Sequence, residues 1–213
     1  MSAQPAIVVL AAGQGSRFQG AQHKLAQSLG TSSVLGMTLR HALATQLPVV
    51  VVTTALLAEV VRGHVASRDI VVLPSTPAAA QASGYGGWGM GQSIAAGVAA
   101  VSGASGWLLL PGDMPMVKPS TMLAVAEMLE QHPVAYAQHT GRRGHPVGFS
   151  AELYSELVTL NGDEGARRLI ARYPSHAVDV DDPGVLMDVD TVADLSHVRA
   201  IHAASRHPGA RMG

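Results

Sequence analysis

The chain has 213 residues, 14 basic and 15 acidic, a charged fraction of 14% against roughly 25% in an ordinary soluble domain. A formal net charge of −1 without a basic block excludes a nucleic-acid binder, which needs a concentrated positive face, and no run reaches the ~18 apolar residues of a membrane span. With no cysteine there is no disulfide, thiolate metal site or cysteine nucleophile. No targeting pattern opens the chain, and a cytoplasmic location is expected.

Short β-branched runs alternate with alanine-rich stretches of helical period, the mark of βαβ units around a parallel sheet. Strands are expected at residues 6–10, 48–53, 69–73, 106–110 and 134–138, each apolar enough to be covered on both faces. Between them, residues 34–46, 56–66, 93–101 and 120–131 carry helical spacing, the last opened by Pro119. Residues 84–91 hold five glycines and read as a loop. After Gly141 the pattern changes to a polar loop, short helices at 151–160 and 164–173, a strand near 176–180, an acidic turn and a helix from Thr191. Residues 205–213 read as a disordered tail, leaving one domain over 1–204.

The first strand runs into Leu10-Ala11-Ala12-Gly13-Gln14-Gly15-Ser16-Arg17-Phe18-Gln19-Gly20, with Lys24 shortly after. A glycine-rich turn leaving a parallel strand lets backbone N–H groups converge on a phosphate. It matches neither common nucleotide loop, since the dinucleotide fingerprint needs a glycine at Phe18 and the Walker loop ends in Gly-Lys-Ser/Thr. Arg17 and Lys24 instead offer a forked guanidinium and a point-charge ammonium, the pair a triphosphate needs. On these residues alone, an ordinary βα turn with two solvated cations remains the alternative.

Leu-Ala-Ala-Gly-x-x-x-Arg-Phe-x-Gly followed by Lys resembles the signature of the nucleotidyltransferases of molybdenum-cofactor biosynthesis, the MobA-like NTP transferases. The resemblance implies that Leu10, Ala11, Ala12, Gly13 and Gly15 surround the nucleotide, with Arg17 and Lys24 on its phosphates. Three residues separate Gly20 from Lys24 where the family usually has two.

The apolar residues 107–110 end in Pro111-Gly112-Asp113-Met114-Pro115. A carboxylate at the carboxyl end of a buried strand lies where open α/β sheets bind ligands. The flanking prolines and Gly112 are expected to hold the backbone extended, projecting Asp113 into a cleft; a turn-forming aspartate is the alternative. Gly-Asp-Met-Pro resembles the family's second signature, which implies Gly112 beside the nucleotide and Asp113 on Mg²⁺. Magnesium takes few protein carboxylates and completes its octahedron with phosphates and water. Residues 187–195 resemble the family's Asp-(Ile/Val)-Asp-Thr-Pro-x-Asp-Leu segment, with Val192 in place of proline, and imply a second ligand in Asp188 or Asp190. Alternating along an extended segment, only one of the two is expected to face the metal. Thr191 or Asp190 is expected to cap the last helix, with Asp194 in its first turn.

Residues 89–98 resemble a further family string that places Ser93 beside the nucleotide. Gly-His-Pro-Val-x-Phe from Gly144 and Gly-Asp-x-Gly-Ala-Arg from Gly162 resemble the molybdopterin cytidylyltransferase group. They imply a pterin pocket of Arg142, His145, Pro146, Gly162, Asp163 and Gly165, with Arg143 alongside. Among ten histidines no His-x-His or His-Glu-x-x-His pattern supports a zinc site.

The resemblance implies a Rossmann-like three-layer α/β nucleotidyltransferase fold with a mostly parallel central sheet. The implied activity is Mg²⁺-dependent transfer of CMP from CTP to the terminal phosphate of molybdopterin or its molybdenum form, releasing pyrophosphate, with a recipient molybdoenzyme as a further partner. Leu-Ala-Ala-Gly resembles the cytidylyl branch, and a methyl at Ala12 narrows the space for a purine, favouring CTP over GTP. The alternatives are a guanylyltransferase, another NTP transferase of this fold, or a non-catalytic protein that binds and delivers the cofactor.

Overall fold

The computed structural model describes residues 3–15, 18, 22–74 and 89–206. Its strands are β1 (Ala6–Ala11), β2 (Ser28–Leu29), β3 (Ser32–Ser33), β4 (Val49–Thr54), β5 (Ile70–Leu73), β6 (Gly106–Pro111), β7 (Val134–His139), β8 (Arg142–Ser150) and β9 (Ser175–Asp179). Its α-helices are α1 (Val34–Ala44), α2 (Ala58–Arg62), α3 (Met90–Ala100), α4 (Pro119–Met128), α5 (Tyr154–Leu157), α6 (Arg167–Arg172) and α7 (Val192–Arg206). Among the described residues no helix is long and apolar enough to cross a membrane.

Seven strands form one sheet in the order β5-β4-β1-β6-β8-β7-β9. Only β8 runs antiparallel to its neighbours; β2 and β3 make a separate two-stranded hairpin. Side chains alternate across a strand, and here both sets are apolar. Ile7, Val9, Val51, Leu108 and Leu110 face a core closed by α1, α2, α4 and α7. Their sequence neighbours Val8, Val50, Val52, Trp107 and Leu109 face a second core closed by α3, α5 and α6. The expected α/β fold with a mostly parallel sheet is therefore present as three layers.

The largest departure from expectation lies after Gly141, where the expected polar loop is the nine-residue strand β8. Thr140 (φ 51°) and Gly141 (φ 75°) form a two-residue link with both φ values positive, the geometry of a tight hairpin turn. Threonine is a poor residue for that conformation, which hid the turn. The ladder is also irregular: Tyr136 pairs with Val147 and Gln138 with Arg143, so β8 advances four residues where β7 advances two. Pro146 has no N–H to give the ladder, and the extra residues around it bulge.

Other boundaries moved less. The expected helix at 56–66 is reduced to Ala58–Arg62, and the one at 151–160 to a 3-10 turn, Ala151–Leu153, followed by the single turn of α5. Helix α3 begins at Met90, so the last residues of the expected glycine loop are helical; residues 84–88 of that loop lie outside the described residues. Helix α7 runs through Arg206, and the rest of the expected tail, 207–213, lies outside the described residues.

Candidate active site

Order reverses at β1: the chain moves to β4 and β5 on one side, then returns to β6 on the other. A crevice at the carboxyl ends of the strands is expected at such a switch point. A cleft of about 870 Å³ opens there, lined by Leu10, Ala12, Gly13 and Gly15 at and beyond the end of β1 and by Pro111 and Asp113 at and beyond the end of β6. Because β8 is antiparallel, it brings its beginning to this edge, and Arg142, Arg143 and His145 line the same cleft.

Lys24 opens a 3-10 turn, Lys24–Ala26. Its Nζ donates to Asp113 Oδ2 at 2.6 Å and to Asp190 Oδ1 at 2.6 Å, bringing together residues 89 and 166 positions apart. The three side chains are only 12%, 16% and 18% exposed. Burial pulls the Lys24 ammonium down, but contact with Asp113 and then Asp190 outweighs it, and the pKa stands above its ordinary value. Asp113 Oδ1 is buried without a hydrogen-bond partner.

The donor set fits a divalent cation. Two carboxylates converge on one point, and one of them keeps a buried acceptor oxygen that nothing satisfies. Among the described residues no cluster of three or more acids and histidines exists, so most of the coordination would fall to phosphates and water, as hard magnesium-like ions accept.

Asp113 sits in a turn, not on extended backbone: Met114 N–H donates to Pro111 O at 3.4 Å. Its own carbonyl accepts from Val189 N–H at 3.0 Å, which stitches the Asp188–Asp190 segment to the end of β6. Val189 is buried and separates the two acids. Asp190 joins Lys24, whereas Asp188 lies on the cleft wall towards His145. Burial lowers the pKa of His145, against the opposing charges of Asp113 and Asp188 and with help from Arg143. The ring is neutral at pH 7, a hydrogen-bonding group on the cleft wall.

Thr191 caps α7, and the cap aims Asp190. Asp194 Oδ2 accepts from Thr191 Oγ1 and N–H at 2.7 Å and from Asp190 N–H at 3.2 Å, and Asp194 N–H donates back to Thr191 Oγ1 at 3.2 Å. The Thr191 hydroxyl bond, offset by burial and joined by these N–H groups, holds the Asp194 carboxyl below its ordinary value. Thr191→Ala is expected to cost about 1 kcal/mol in urea unfolding at pH 7. A depressed carboxylate stabilises above its unfolded pKa of about 3.9 and ceases to as pH falls through the lower folded value. The gap between wild type and variant should therefore narrow in acid; a gap that widens below pH 4 would contradict the cap.

Ser93 is buried in the first turn of α3 and lines the cleft, as do Asp163 and Gly165. Gly91 explains how these two loops meet: its N–H donates to Gly162 O at 2.8 Å, and a Cβ there would stand 2.6 Å from the Asn161 carbonyl oxygen. Gly162, Pro146, Ala11 and Gly112 do not line the cleft. Gly112 is buried, its N–H on Leu10 O at 2.9 Å, and a Cβ at this position would stand 3.0 Å from the Leu35 side chain. Arg17 lies outside the described residues.

Sequence reading did not single out Gln92, Pro74 or His23. The first two line the cleft. His23 Nε2 lies 3.0 Å from Gly13 O, while its Nδ1 accepts from Leu25 N–H at 3.2 Å, so a ring protonated on Nε2 ties the glycine loop to the Lys24 turn. No spacing rule signals such a role; adjacency to Lys24 was the only hint.

Comparison with known proteins agrees with this geometry. The MobA-like NTP transferase domain matches residues 7–180. Purine catabolism protein PucB of Bacillus subtilis is 30% identical over 207 residues, covering 90% of this chain and 94% of PucB. The crystal structure of Rv0371c from Mycobacterium tuberculosis superposes with a TM-score of 0.74 at 28% identity, covering 94% of this chain and all of that one. A manganese complex of Rv0371c superposes with a TM-score of 0.72 at 27% identity and the same coverage. With its strand order, its Gly13–Gly15 turn and Asp113 all within the matched residues, the chain belongs to the MobA-like NTP transferase family and is a nucleotidyltransferase.

Proposed function

We propose that this nucleotidyltransferase moves CMP from CTP to the terminal phosphate of molybdopterin or its molybdenum form, in the cytoplasm, for a recipient molybdoenzyme, and that residues 1–204 form a single domain. The observation that carries the reading is one continuous cleft with the Lys24, Asp113 and Asp190 constellation and the Gly13–Gly15 turn, and with Arg142, Arg143 and His145 on the same wall. The cations of β8 suit an anionic acceptor. Arg143 stacks over the Tyr136 ring at 4.3 Å, which holds its guanidinium at the cleft.

In the reaction an acceptor phosphate oxygen attacks the α-phosphorus of CTP in line. The new P–O bond forms as the bond to the β-phosphate oxygen breaks, and pyrophosphate leaves with the electron pair. No protein nucleophile is required; the chain supplies alignment and charge. Arg17 and Lys24 bind phosphates, and the turn from Leu10 to Gly15 offers backbone N–H groups to them. Asp113 and Asp190 would hold Mg²⁺, which supplies charge neutralisation on the phosphates when bound; the manganese complex of Rv0371c supports a divalent ion in this fold. Ala12 is half-buried on the cleft wall, and a methyl beside the base would leave less room for a purine than for a pyrimidine.

Pyrophosphate release, measured with molybdopterin, Mg²⁺ and each nucleoside triphosphate in turn, tests this. CTP is expected to be turned over at least about tenfold more efficiently than GTP, the scale of one steric contact. Release with GTP but not CTP would overturn the Ala12 argument, and saturable CTP binding without turnover would replace transfer by cofactor delivery.

A further inference from the structure

We infer that Lys24 is the resident counter-ion of the carboxylate pair and makes divalent-cation binding conditional on nucleotide, so that the ion enters with the phosphates and not before them. The inference rests on the reading of Asp113 and Asp190 as metal ligands.

Lys24 Nζ stands 2.6 Å from one oxygen of each acid, in the space that a cation bridging those oxygens would fill. The ammonium and the metal therefore exclude one another. Lys24 is tethered to the chain, so it holds the pair without the loss of translational freedom that a free ion incurs, and it competes at high local concentration. It is also mostly buried, where the contact is screened little by salt.

The lysine can leave. Its stem is unbranched, it starts a single 3-10 turn, and the cleft into which it would swing is the one lined by Gly13 and Gly15. A polyphosphate there offers the ammonium a new anionic partner and offers the metal its missing oxygens. Both halves of the exchange favour the same outcome. By linkage, whatever factor nucleotide adds to metal affinity, metal adds to nucleotide affinity.

Mn²⁺ alone is the probe, followed by the loss of its free-ion electron paramagnetic resonance signal on titration with the full-length protein. Wild type is expected to bind Mn²⁺ weakly without nucleotide, and Lys24→Met to bind it on the order of tenfold or more tightly, because one contact cation no longer competes for the two carboxylates. Adding Asp113→Asn to Lys24→Met should abolish the gain. Circular dichroism checks that the variants fold, and Lys24→Gln serves if the methionine variant does not. Equal Mn²⁺ affinity in wild type and Lys24→Met would overturn the inference while leaving the metal reading intact. A gain that survives Asp113→Asn would overturn it too, by placing the ion elsewhere. If wild type with CTP takes up no more Mn²⁺ than a protein-free CTP control, the metal reading falls and the inference with it.

Discussion

Asp113→Asn is expected to lower nucleotidyl transfer by about 10³-fold, the loss typical when preorganised charge at a reacting phosphate is removed. The side chain keeps its size, and Lys24 keeps Asp190, so the fold has little reason to change. What disappears is one of two negative charges at the only place where β6, the Lys24 turn and the Asp188–Asp190 segment converge among the described residues. Its Oδ1 is buried without a hydrogen-bond partner, a cost that a bound cation would offset. Pyrophosphate release and thermal melting should be measured together. Turnover within about tenfold of wild type would remove Asp113 from the chemistry, whereas lost activity with a lowered melting temperature would make it structural.

The second large effect is on stability. Asp182 is 2% exposed, and both of its carboxylate oxygens are used. Oδ2 accepts from Lys118 N–H at 2.8 Å and Thr121 Oγ1 at 2.6 Å, and Oδ1 accepts from Gly184 N–H at 3.1 Å. Helix α4 has no cap from its own N-terminal residue, so a carboxylate from 61 to 64 positions away does that work. The same carboxylate folds the 3-10 turn Pro183–Leu186, which leads directly into Asp188 and Asp190. Asp182→Ala strands three donors, two of them buried, and is expected to cost about 3 kcal/mol, several times a surface change. For a chain of this size that lowers the melting temperature by roughly 6–12 °C. Asp182→Asn retains an acceptor and should lose less. A melting temperature within about 2 °C of wild type for the alanine variant would show that water replaces the carboxylate.

These two aspartates show where sequence reading succeeds and where it stops. Asp113 was legible because chemistry leaves a local trace: an apolar strand ending in Pro-Gly-Asp at a sheet's carboxyl edge. Asp182 sits in an acidic run, Asp179 to Asp182, whose local pattern reads as a solvated turn, and its partners are found only across the fold. The order of elements was legible for a similar reason. Strands β1, β4 and β6 are continuous apolar runs because both faces are covered, and periodicity reports coverage directly. Strand β8 was not, since Arg142-Arg143-Gly144-His145-Pro146 carries cations, a glycine and a proline that local propensity assigns to a loop. Pairing with β6 and β7 overrides that propensity.

By itself the sequence determined the alternation of strands and helices, the glycine turn after the first strand, and the identity of the charges kept in a chain that has few. These are properties of neighbours along the chain, set by spacing and residue type. Only the tertiary structure decided that β8 runs antiparallel and so delivers its first residues, not its last, to the cleft. It alone put Lys24 between Asp113 and Asp190. Those outcomes depend on contacts across 89 and 166 positions, where no periodicity reaches and only packing and charge pairing choose.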